Sequence, residues 1–270
     1  MCYTAFLFYS ALVFMLGACI GSFANVCIYR MPRGRSIVLP RSSCPHCDGK
    51  IAWYDNIPLL SFFLLGCKCR SCGGKIAGRY FTVELLTGIL FLLVWLHYGV
   101  SVKTPVCWIV VTGLIIGTFI DFDFMIIPDQ ITIGGFFAGF IFSFVFPGLH
   151  DVSSHFDGFK SSFIGFMAGA FILWLVGELG RLAFKKEAMG MGDVKLLGAL
   201  GAFLGWKAVL FIIMGASLAG ALAGMAMVFT GNKQMSSRIP FGPYLALAAV
   251  VWILGGNEAW FAYVNWLRGG

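Results

Sequence analysis

The sequence predicts an all-α polytopic membrane protein: about eight transmembrane helices, with a small zinc-stapled cytoplasmic domain after the first helix. Three observations predict it. Hydrophobic residues make up 59% of the 270 positions and charged residues only 11%, whereas a soluble domain carries about 25% charge. The apolar residues gather into runs of spanning length, about 17–25 residues, and lipid forces such runs to satisfy their own backbone hydrogen bonds as helices. The one sizeable polar stretch, residues 30–79, is rich in Pro, Gly, Cys and Arg, and a piece of that size needs a staple to hold a fold.

The runs lie near 5–28, 80–98, 105–122, 130–147, 160–184, 193–206, 208–230 and 243–266. No basic residue precedes the first of them, and Arg30 follows it, so it reads as an uncleaved span with its N-terminus outside. Gly190, Gly192, Gly198, Gly201 and Gly205 loosen the pattern around the sixth. Eight spans leave only Lys103, Lys160, Lys207 and Arg268 outside. All other basic residues, including Arg181, Lys185, Lys186, Lys233 and Arg238, fall on the cytoplasmic side. That separation accounts for the net charge of +7 without a nucleic-acid partner. The domain division is 1–29 as the first span, 30–79 as the cysteine-bearing cytoplasmic domain and 80–270 as a seven-helix membrane domain.

Within 30–79, Cys44-Pro-His-Cys47 and Cys69-Arg-Ser-Cys72 form two C-x-x-C knuckles. On the inferred reducing side of the membrane this spacing points to a four-thiolate structural zinc site, closed to substrate, rather than to disulfides or a redox pair. Gly73 and Gly74 suit the tight turn of the second knuckle. Cys67 and His46 lie close enough to substitute as ligands but lack the regular spacing. Cys2, Cys19, Cys27 and Cys107 read as small buried apolar residues.

Carboxylates at the edge of apolar runs are costly and need a reason to be there. Asp121 closes the third run in Asp121-Phe-Asp123, with Asp129 following Pro128. Asp193 opens the sixth in Gly190-Met-Gly192-Asp193. The topology brings Asp121 and Asp193 to one membrane level, the precondition for an aspartic dyad, in which two neighbouring carboxyls share a proton. Gly190 and Gly192 would let an extended substrate approach the backbone. Helix caps or an ion path are the alternatives, and Asp129 after Pro128 fits a cap well. Glu178 with Arg181 reads as a structural pair, and Glu84 as a cap or pair beside Arg79. No Ser/His/Asp set and no nucleotide-binding glycine loop is present. On these residues alone the competing class is an ion- or proton-coupled transporter, which would be expected to carry paired half-sequences; no internal repeat is found.

Several stretches together resemble the type IV prepilin leader peptidases, also called prepilin peptidase/N-methyltransferases. They are Gly21-Ser-Phe-Ala-Asn25-Val with Tyr29-Arg-Met-Pro32, the two knuckles, Trp53-Tyr-Asp-Asn-Ile-Pro58, Arg79-Tyr80 and Val83-Glu-Leu85. Ile120-Asp-Phe-Asp123 with Ile127-Pro-Asp129, Gly190-Met-Gly-Asp-Val-Lys195 and Ile239-Pro-Phe-Gly-Pro243 complete the set. The resemblance implies an intramembrane aspartic endopeptidase of the G-x-G-D type with Asp121 and Asp193 as its catalytic pair, and it decides Asp121 over Asp123. It implies a place in the bacterial inner membrane, and type IV prepilins and pilin-like secretion subunits as substrates, cut at the cytoplasmic face after a basic leader. It also implies methylation of the new N-terminus with S-adenosylmethionine as donor, whose pocket the spacing does not identify. Cys67 departs from the pattern of many relatives, which have Gly-Lys before the second knuckle.

Overall fold

The computed structural model describes residues 3–185, 189–229 and 240–267. Cys2, Lys186, Lys233, Arg238, Arg268 and most of the expected inner gap at 231–242 lie outside the described residues. Within them the regular structure is helical, with two isolated β-bridges. The helices are α1 (Tyr3–Arg30), α2 (Leu60–Leu64), α3 (Gly78–Tyr98), α4 (Lys103–Phe124), α5 (Asp129–Val145), α6 (His155–Phe184), α7 (Met191–Phe229), α8 (Gly242–Val251) and α9 (Asn257–Leu267).

Five of these, α1, α3, α4, α6 and α7, are long and apolar enough to cross a membrane, while α5 is apolar but shorter. Every predicted run is helical, yet length and hydropathy single out five rather than eight. The expected sixth and seventh runs correspond to the two halves of α7, which are separated by a break at Gly205, and the last run is divided between α8 and α9 by a π turn at Trp252–Gly256.

The chain forms two compact units, Met1–Thr104 and Pro105–Gly270. In the first, α1 and α3 run antiparallel, with Gly17 against Phe91, Gly21 against Glu84 and the Asn25 amide donating to the Tyr80 carbonyl at 3.0 Å. Arg30, at the end of α1, organises the loop that follows by donating to the carbonyls of Ser36 (3.0 Å) and Pro40 (2.8 Å).

In the second unit α6 and the first half of α7 cross closely, because a Cβ on Gly165 would lie 2.1 Å from the Gly201 carbonyl oxygen. Small residues at such crossings are how helices pack in lipid. α7 is not straight. Gly205 has φ 82 and ψ 170, a conformation essentially confined to glycine. A Cβ on Gly201 would lie 2.9 Å from Val209, although eight residues of straight helix span about 12 Å. The chain therefore folds back at Gly205. Just before the break, the Ala202 carbonyl accepts hydrogen bonds from the Ser162 (2.6 Å) and Ser143 (3.3 Å) hydroxyls.

This reversal sets the register of the site. α5 and the first half of α7 run parallel, with Ile127 against Gly192, Gly135 against Ala199 and Gly139 against Ala202. The second half of α7 returns alongside α8, with Gly215 against Ala248 and Gly220 against Tyr244. The starts of α5, α7 and α8 therefore share one end of the unit.

Candidate active site and metal centre

Asp121 sits in the last turn of α4, where an apolar helix ends because Met125 turns into the left-handed region at φ 53 and donates to the Asp121 carbonyl. Its side chain is buried, at 5% relative exposure, whereas Asp123 faces outward. The Asp121 carboxylate accepts the backbone N–H of Gly242 at 3.1 Å. That donor is the first residue of α8, so the acid meets the positive end of a helix. Gly242 has to be glycine here, because a Cβ would lie 2.7 Å from Asp121 Oδ2 and 3.1 Å from Ile127.

Asp193 lies half-buried in the first turn of α7, its backbone N–H donating to the Gly190 carbonyl at 3.2 Å. Ile127 links the two acids: it packs against Gly242 beside Asp121 and against Gly192 beside Asp193. The structure thus gathers both predicted acids at one helix end. A Cβ on Gly192 would lie 3.3 Å from Ile127, so this glycine lets Ile127 pack against the start of α7, and a Cβ on Gly190 would lie 3.4 Å from Asp193 Oδ2.

Asp129 is the first residue of α5, one position past the N-cap, which Pro128 fills. It accepts from Lys195 Nζ at 2.7 Å, tying the starts of α5 and α7 together. Glu178 pairs with Arg181 as expected. Glu84 accepts the Leu59 N–H at 2.8 Å and a bond from Ser22. It therefore holds the loop before α2. Neither Gly242 nor Ile127 was assigned a role from the sequence. Pro243, one residue inside α8, marks that helix start, but not what its first N–H would meet.

The sulfurs of Cys44, Cys47, Cys69 and Cys72 lie within 4.8 Å of one another. Tetrahedral zinc with Zn–S bonds of about 2.3 Å requires sulfurs about 3.8 Å apart, and Cys44 and Cys72 are at 3.9 Å. The two knuckles are built alike. Cys44 N donates to Gly49 O and Asp48 N to Cys44 O, and likewise Cys69 N to Gly74 O and Gly73 N to Cys69 O. Each is closed by a bridge, Ser43 with Lys50 and Lys68 with Lys75, and turns through a positive φ, at Asp48 (54) and Gly73 (70).

Backbone N–H groups of Cys72 and Ser71 lower the Cys69 thiol to about 6. The Gly49 N–H pulls Cys47 downward too, but the Cys72 and Cys44 sulfurs and desolvation raise it to about 11. Four such sulfurs become thiolates together only with a cation among them. Cys67 and His46 do not belong to this cluster: Cys67 bonds to Phe62 and Ile76 through its backbone, and His46 lies over Gly74. Cys27 and Cys107 are buried as expected, but Cys19 is exposed, because it falls on the outward face of α1.

The molecule is thus a multi-helix membrane protein in which two acids converge where three helices begin and four cysteines cluster in the polar segment. The comparisons specify it further. Residues 15–98 match the bacterial peptidase A24 N-terminal domain, and residues 108–225 match the type IV leader peptidase family. The chain is 37% identical to the prepilin leader peptidase/N-methyltransferase of Aeromonas hydrophila, over 93% of this chain and 92% of the relative. It is 34% identical to that of Pseudomonas aeruginosa, with the same coverage, and 39% identical to that of Myxococcus xanthus, over 83% and 65%. No solved structure matches. The chain belongs to the type IV leader peptidase family, and with its apolar helices it is a multi-pass inner-membrane enzyme.

Proposed function

We propose that this protein is an aspartic endopeptidase that removes the basic leader of type IV prepilins and pilin-like secretion subunits, with Asp121 and Asp193 as the catalytic pair, and then methylates the new N-terminus. The observation that carries the reading is the convergence of the two acids around Ile127, with Asp121 held by the α8 N-terminus. One carboxylate takes a proton from water as its oxygen attacks the scissile carbonyl, and the carboxylic acid donates to the developing oxyanion. Collapse breaks the C–N bond, and the proton taken from water passes to the leaving amine. The methyl group then comes from S-adenosylmethionine, a consumed co-substrate, in keeping with the relatives' names.

In this reading residues 1–29 form the first span and 30–79 a cytoplasmic segment associated with methyl transfer. Residues 80–270 form the peptidase portion, and the apolar runs make about eight crossings with the N-terminus outside. Cys44, Cys47, Cys69 and Cys72 hold zinc, which contributes folding free energy and leaves no open coordination position. An ion-coupled transporter is not favoured, since the family matched is a peptidase family.

The test is mass spectrometry of a prepilin incubated with the purified protein and S-adenosylmethionine. A product shortened by its leader and heavier by one methyl group is the expected result. An unchanged substrate would contradict the reading, and shortening without the methyl would remove its second half.

A further inference from the structure

We infer that α2 lies in the membrane interface and docks the cysteine-bearing segment onto the bilayer, with phospholipid as the partner of its exposed face. α3 has 21 residues, a rise of about 31 Å, against a hydrocarbon core about 30 Å thick. A helix so little in excess needs its first two turns at or inside the interface to cross. α2 packs on those turns. Phe62 stacks on Phe81 with ring centroids 5.4 Å apart, and Phe63 meets the same ring edge-on at 5.2 Å. Glu84, about 9 Å into α3 by helix rise, accepts the Leu59 N–H at 2.8 Å. This bond holds the residue before α2 at φ 63 and ψ −48, a conformation a leucine adopts only under constraint.

α2 is thereby fixed at the depth of Phe81–Glu84, and its outward side is apolar. Leu60 is 54%, Phe63 65% and Leu64 79% exposed. Three large apolar side chains on a five-residue helix would be costly in water. At this depth they continue the lipid-facing surface of α3, where Leu86 and Ile89 are also exposed. Charge agrees with the placement. Lys68 and Lys75, exposed on the bridged pair that follows α2, reach head-group level just before α3 begins, where anionic phosphates attract basic residues.

The surface therefore fits acyl chain and phosphate together. It puts the second knuckle, which starts at Cys69, directly above the bilayer. The inference needs only that α3 spans, so it stands or falls separately from the assignment of the catalytic pair.

The test places a photoreactive benzophenone amino acid at Leu64 in the full-length protein reconstituted into vesicles containing anionic phospholipid. Irradiation and mass spectrometry should find phospholipid adducts as the main cross-linked product, and the same at Leu60. Cross-links to protein alone, whether to a second copy or to an added pilin, would overturn the inference, as would unreacted probe facing water. If the Leu64 probe prevents insertion, the Leu60 probe decides.

Discussion

At Gly242 an added methyl group would meet Asp121 Oδ2 at 2.7 Å and Ile127 at 3.1 Å, and the neighbours there are the acid proposed as catalytic and a packed side chain. Gly242→Ala should therefore push the Asp121 carboxylate out of place and lower kcat for leader removal by about 100-fold, with KM changed far less. Adding Ile127→Val, which removes one of the two clashing atoms, should recover part of that loss. Full activity in Gly242→Ala would show that the α8 N–H does not position the acid. The thiols give a second residue-level prediction. With Cys69 lowered to about 6, its thiolate is present at pH 7.5 before any metal arrives and is lost, in the metal-free protein, as pH falls through that value. With Cys47 raised to about 11, its proton stays on at neutral pH until a metal displaces it. Zinc uptake at pH 7.5 should thus release protons, measurable by calorimetry in buffers of different ionisation enthalpy. Uptake with no proton release would contradict this account of the cluster. The acids and cysteines were legible in the sequence because a carboxylate against an apolar run and a doubled C-x-x-C are costly or improbable by chance. Gly242 was not, since its role rests on a contact 121 residues away.

Among the elements, the break in α7 matters most, because it returns the chain to the end where α8 begins. Gly205→Ala would place a Cβ at φ 82 and ψ 170, at a cost of about 1–3 kcal/mol, and should lower Tm in detergent. An unchanged Tm would mean that the turn tolerates a side chain. The Lys195–Asp129 bond is partly exposed at both ends, 37% and 59%, so Lys195→Met should cost no more than about 1 kcal/mol. A larger loss would make this pair a principal support of the site. Helix positions were readable from apolar runs, and the glycines around 190–205 already marked the sixth as irregular. The break between the runs 193–206 and 208–230 was readable too, and it falls at Gly205. The division of the last run was not readable, since it follows from Gly255 at φ 140.

Across the whole molecule, the two matched family regions, 15–98 and 108–225, fall one in each compact unit, with the thiolate cluster in the first and the paired acids in the second. Membrane class and the cysteine cluster were visible in composition and spacing, whereas the choice of Asp121 over Asp123 came from the resemblance of the motifs. The number of crossings was not visible, because short helices such as α5, α8 and α9 do not declare themselves by length. The two proposed activities can be assayed one at a time in the same variants. The most direct measurement is mass spectrometry of a prepilin treated with Asp121→Asn and with Asp193→Asn, alongside a second assay on a pilin whose leader is already removed. Asparagine keeps the shape of each acid and removes its charge. The account predicts that both variants leave the prepilin uncut while still adding a methyl group to the processed pilin. Leader removal at the normal rate by either variant would contradict the assignment of Asp121 and Asp193 as the catalytic pair.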